Sequence, residues 1–132
     1  MSALAAKWLA VAAGGAHGAA RRYGLADLAH GWLGRDFPWG TLTVNVLGSL
    51  AIGYLLVLLP DSRGEAHWLH LLLLTGVLGG FTTFSAFSLE TLQLLHGGQA
   101  GRAFLNIGGT VTLCLAAVWA GHAAGRLVHA TA

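Results

Sequence analysis

Charge is what this sequence has least of. Its 132 residues include seven Lys and Arg and five Asp and Glu, 9% of the chain, against 55% hydrophobic residues. A soluble domain carries roughly a quarter charged residues, so a water-clad globular unit is excluded. The mean hydropathy of +0.67 places the chain in a bilayer instead. Cysteine is nearly missing too: Cys114 alone excludes an intrachain disulfide and a thiolate metal site, and reads as a small core residue in mid-span. The few basic residues are scattered over loops and helix ends, and the net charge is only +2. No nucleic-acid footprint follows from so thin a distribution. Seven histidines are present, but their spacing does not repeat between spans. They also lack the carboxylate or cysteine neighbours a metal site needs, so they read as interfacial or loop residues.

What the chain has instead is uncharged length. Charge-free runs extend over 37–60, 66–89 and 103–125, each near the ~20 residues a spanning helix requires. A weaker run near 3–23 is trimmed by Lys7, Arg21 and Arg22. The expected architecture is an all-α membrane protein of one domain over 1–132. Its four spans are placed at about 3–23, 38–60, 67–95 and 102–126, leaving no room for a soluble domain. The first segment shares a signal peptide's layout, with Lys7 before a short apolar run and small residues after it. Against that, Gly14, Gly18 and Arg22 fall at i, i+4 and i+8 and share one helical face. Gly14 and Gly18, Gly76 and Gly80, and Gly121 and Gly125 each form a GxxxG pattern, which lets helix backbones approach closely in lipid.

Four spans put both ends and the loop 61–65 on one side, with Lys7, Arg63 and Arg126. The other side holds Arg21, Arg22, Arg35 and Arg102. Orientation follows the Lys and Arg bias of the loops, and three against four is almost no bias. Insertion both ways, and an antiparallel dual-topology homodimer about an axis in the membrane plane, are therefore expected.

Polar residues inside the spans mark an ion or substrate route by default. Thr41, Asn45 and Ser49 line one face of the second span, and Asn106 and Thr110 pair at i, i+4 in the fourth. The third span contains GGFTTFSAF at 79–87, where adjacent glycines loosen a helix and hydroxyls compete for its backbone. A break near 79–83 is expected, and freed backbone groups at membrane depth must be buried in protein or line a wet cavity. Two such breaks meeting on a two-fold axis would offer four carbonyl oxygens, hard ligands suited to an alkali cation. Phe84 and Phe87, at i, i+3, share a face, and their electropositive ring edges can meet an anion.

Together, GGAHGAARRY at 14–23, GTLTVNVLGSLAIG at 40–53 and GVLGGFTTFSAFSLE at 76–90 resemble the Fluc (CrcB) family of fluoride channels. The three motifs stand in family order, while the fourth span is similar only in length, polarity and position. The resemblance implies a passive fluoride-selective channel in the cell inner membrane, lowering cytoplasmic fluoride. It implies a homodimer with two antiparallel pores and a central structural sodium ion. By motif, the Gly79 and Thr82 carbonyls of both subunits would hold the sodium, and Asn45, Phe84, Phe87 and Ser85 would line the fluoride path. Arg22, Thr41 and Glu90 would sit at a vestibule or pore mouth, and Asn106 and Thr110 would extend the polar track. One departure stands out: many members read TTFSTF where this chain reads TTFSAF, so Ala86 replaces a hydroxyl residue.

Two other functions fit less well. A small multidrug exporter is also a four-span dual-topology dimer, but its proton coupling uses a carboxylate deep in the first span, where 3–23 has none. An intramembrane enzyme built on Ser85 would need a base held against that hydroxyl, and the interior of the third span offers no His or Lys facing it.

Overall fold

The computed structural model describes residues 2–59 and 67–131; the expected loop over 61–65 lies outside the described residues. Helix α1 runs Ala3–Leu33 and α2 runs Trp39–Leu58. The third span is composite. It comprises α3 (His67–His70), a π-helical stretch Leu71–Leu78, α4 (Gly79–Phe81) and α5 (Phe84–His96). Helix α6, Ala100–Thr131, completes the bundle.

Three of these segments, Trp39–Leu58, His67–His96 and Ala100–Ala130, are long and apolar enough to cross a membrane. Helix α1 is interrupted by charge, yet at 31 residues it is about 46 Å long, well beyond the ~30 Å of a hydrocarbon core. The sequence places the end of the first span near 23, but the helix continues to Leu33. Charge limits residence in lipid, not helicity, and the backbone turns only at Gly34, where φ is +88° and the N–H bonds back to His30 O. Likewise α6 overruns the expected 102–126 at both ends.

Glycine sets the seams. A Cβ on Gly14 would meet Leu72 O and the Gly76 backbone, and one on Gly80 would meet Gly15. Gly18 lies against Val77 O, with Phe81 N 2.8 Å from where its Cβ would stand. The GxxxG patterns of the first and third spans therefore face each other backbone to backbone. On the other side α2 and α6 close together, Gly53 against Val118 O and Gly121 against Leu50 O. Such contact is how helices gain packing energy where no hydrophobic drive exists between them.

Candidate functional site

The break in the third span is narrower than 79–83. Only Thr82 (φ −85°, ψ 158°) and Thr83 (φ −153°, ψ 117°) leave helical geometry. Gly79, Gly80 and Phe81 stay helical, since Thr82 N still reaches Leu78 O at 3.0 Å.

Asn45, buried on α2, holds the break. Its Nδ2 donates to Thr83 O at 3.0 Å, and its Oδ1 accepts from Thr83 N at 2.7 Å. The Thr83 hydroxyl then caps α5, accepting from Ala86 N at 3.1 Å, and lies 3.1 Å from Ser85 Oγ. These bonds have a consequence upstream. In an unbroken helix Thr83 N would bond to Gly79 O, and Ala86 N to Thr82 O. Both amides are diverted, and Gly79 O and Thr82 O are thereby two of the four carbonyls, from Gly79 to Thr82, left without helical donors at the break. That is the donor chemistry an alkali cation requires: neutral oxygens at a helix break, on residues that line a cavity. Thr82 O also accepts from Arg22 Nη1 at 3.4 Å, which ties α1 to the break.

The residues expected along one path divide between two cavities of a single chain. The first, about 460 Å³, is lined by Asn45, Gly79, Thr82, Phe84, Phe87 and Thr110, among others. The two rings sit 5.2 Å apart at 47°. Phe87 is 7% exposed, whereas Phe84 is 77% exposed and stands on the open face of the chain. The second cavity, about 490 Å³, holds Arg22, Thr41, Ser85 and Ala86. Thr83 lines both. Ser85 thus opens toward Arg22 and not toward the rings, because α5 starts at Phe84 and turns successive residues by about 100°.

A third cavity, about 400 Å³, brings Glu90 together with His30, Arg35 and Arg102. The Thr41 hydroxyl, from the second cavity, donates to Glu90 Oε1 at 2.7 Å. Glu90 therefore stands between the two spaces, and its other oxygen, Oε2, is buried without a hydrogen-bond partner among the described residues.

Asn106 is 2% exposed and is satisfied inside the bundle. Its Nδ2 donates to Thr91 Oγ1 at 2.9 Å, and its Oδ1 accepts from Thr110 Oγ1 at 3.4 Å. Thr91 in turn donates to Phe87 O at 2.7 Å. This chain fastens α6 to the backbone beneath Phe87, so of the two residues expected to extend the polar track only Thr110 reaches a cavity. Cys114 is half-buried on the first cavity's wall.

Sequence reasoning missed Thr83, Thr91, His30 and Arg102. Thr83 and Thr91 had a signal: hydroxyls at i and i+8 on the face that also carries Phe87. His30 had none, since its role is to accept from Gly40 N at 3.3 Å across the α1–α2 turn. Arg102 likewise gave no signal for its bond to Asp36 O at 2.9 Å, which joins the first turn of α6 to the α1–α2 loop far away in sequence.

Residues 9–122 match the family model described as CrcB-like protein, Camphor Resistance (CrcB). The chain belongs to this family. Among CrcB-like relatives, one from Opitutus terrae is 51% identical over 120 residues, covering 89% of this chain and 90% of its own. One from Magnetococcus marinus is 49% identical over 118 residues, 89% of this chain and 96% of the relative. One from Thermus thermophilus is 50% identical over 121 residues, 90% and 94% respectively. Each bears the name fluoride-specific ion channel FluC. These CrcB-like relatives are named as channels and not as enzymes. The matched span includes most of α1, all of α2, the broken third span and most of α6.

Proposed function

We propose that this protein is a fluoride-selective channel through which the ion leaves the cell passively. The observation that carries the reading is the likeness, over about nine-tenths of the chain, to relatives named as fluoride-specific channels. Fluoride holds its water tightly, so a selective pore must replace hydration with several donors while excluding larger halides by width. The chain offers the Arg22 guanidinium, the Ser85 hydroxyl and the ring edges of Phe84 and Phe87, while the hydroxyls of Thr41 and Thr110 would have to turn from Glu90 and Asn106 to donate to the ion. No step needs energy input: neutral HF enters from acid surroundings, ionises inside, and fluoride departs down its electrochemical gradient.

A single chain leaves the first cavity open beside an exposed Phe84, and a second copy in the opposite orientation would cover that face. The near-even charge count of the loops supports such an antiparallel homodimer, with two pores in the cell inner membrane. The Gly79 and Thr82 carbonyls of both chains would hold a sodium ion on the axis. When bound, that ion supplies a fixed positive charge and a link between subunits. The exporter reading gains nothing from Asp27, which the longer α1 includes: it is exposed and paired with Arg35 at 3.2 Å.

The test is fluoride efflux from liposomes holding the purified protein, followed by electrode with valinomycin as the counter-ion path and chloride as control. Rapid fluoride loss with little chloride loss is expected. Absence of fluoride flux from a folded protein would overturn the reading. Ala86→Thr restores the hydroxyl at the second cavity, beside Ser85 and Arg22. We expect a several-fold faster efflux, and an unchanged rate would show that this position does not limit passage.

A further inference from the structure

The fluoride reading makes Asn45 a lining residue whose carboxamide donates to the passing ion. Its geometry gives it a prior commitment. Both functional atoms of the side chain are bonded to one residue, Thr83, at 3.0 and 2.7 Å, and the side chain is 8% exposed. A primary amide has two N–H donors and one oxygen. One N–H and the oxygen are spent on Thr83, and the reciprocal pair fixes the plane of the amide. The arrangement imitates a rung between two extended strands, with a side chain in place of one strand. It also satisfies Thr83 N, which a break in lipid would otherwise leave unpaired, and adds a second donor to Thr83 O, the N-cap carbonyl of α5, which is what permits Thr83 to be extended at membrane depth.

We propose that Asn45 is a positioning residue. By latching the Thr83 amide and carbonyl it holds Gly79 O free of its helical donor and keeps Thr83 extended, where the Thr83 hydroxyl takes Ala86 N away from Thr82 O, and so it sets the cation cage rather than acting chiefly on the anion. Thr83 N is the atom on which the choice turns: bonded to Asn45 it releases Gly79 O, and bonded to Gly79 O it would close the helix. The proposal rests on the channel and sodium reading for its functional consequence, but the latch itself does not.

Two replacements separate the possibilities. Asn45→Leu removes both bonds at similar size. Asn45→Asp keeps an acceptor for Thr83 N but loses the donor to Thr83 O, and keeps the proposal testable if the Leu variant fails to fold. Amide hydrogen exchange over 79–87 is measured in the reconstituted full-length protein, beside fluoride efflux as a function of sodium concentration at constant ionic strength. Exchange reports opening of the segment directly. The expected result is exchange about tenfold or more faster in Asn45→Leu and intermediate in Asn45→Asp, with the sodium midpoint of efflux moved upward in the same order. Lost efflux with unchanged exchange and an unchanged sodium midpoint would overturn the latch and make Asn45 a direct donor to fluoride. Faster exchange with an unmoved midpoint would reduce Asn45 to a purely structural bond and overturn its positioning role. If wild-type efflux shows no sodium dependence, the sodium reading fails, and the latch is then decided by the exchange rates alone.

Discussion

Phe84→Ile is expected to slow fluoride efflux by about two orders of magnitude, corresponding to about 2.7 kcal/mol of barrier. The folded protein should survive. At 77% exposure the ring contributes little to the interior of its own chain, whereas Phe87 and Val44, at 7% and 0%, form part of the core. Isoleucine keeps apolar bulk but removes the electropositive ring edge, the feature through which an aromatic side chain can face an anion. It also removes the tilted partner that Phe87 meets at 5.2 Å. Efflux from liposomes, read beside size-exclusion of the detergent-solubilised protein, separates the outcomes. Retained wild-type flux would remove Phe84 from the fluoride path. Lost flux together with a changed oligomeric state would make the ring an assembly contact instead.

Gly18→Val should be more damaging and of a different kind. A Cβ at that position would collide with Val77 O and come within 2.8 Å of Phe81 N, both backbone atoms that no rotamer change can move aside. Overpacking a well-filled contact costs about 1–3 kcal/mol where side chains can yield, and here they cannot. The first and third spans would have to separate, carrying Arg22 away from Thr82. Loss of monodisperse protein on extraction, or a melting temperature lowered by many degrees, is the expected result. A Gly18→Ala variant of near wild-type stability would show that the seam has slack that the geometry denies.

Much of this arrangement was legible in the residues because the physics behind it is local. Uncharged length gives the spans, and GxxxG spacing marks Gly14, Gly18, Gly76 and Gly80 as close-approach points. Adjacent glycines and hydroxyls in GGFTTFSAF signal the break. What escaped depends on contacts between segments. That Asn45 would meet Thr83, 38 positions away, and not only a pore, follows from how α2 crosses the break. The separation of Ser85 from Phe84 and Phe87 depends on where α5 begins, which the Thr83 cap decides. Asn106 looked like part of a route because a buried amide in a span needs partners, and it found them in Thr91 and Thr110. Helices α1 and α6 extend beyond the expected spans because charge reports on lipid while helix ends answer to backbone geometry.

The π-helical stretch Leu71–Leu78 governs where everything after it points. Gly79 N reaches back to Leu74 O, five residues earlier, and a helix bonded in this way winds more residues into each turn than the usual 3.6. The glycines that meet α1 and the threonines that meet α2 therefore lie at an angular offset that a regular helix of the same sequence would not give them. The run LLLLTGVL accordingly works as a phase setting. Exchanging one leucine for another aliphatic residue leaves the phase alone, whereas adding or removing a single residue there would turn the break away from Asn45 with every downstream side chain intact.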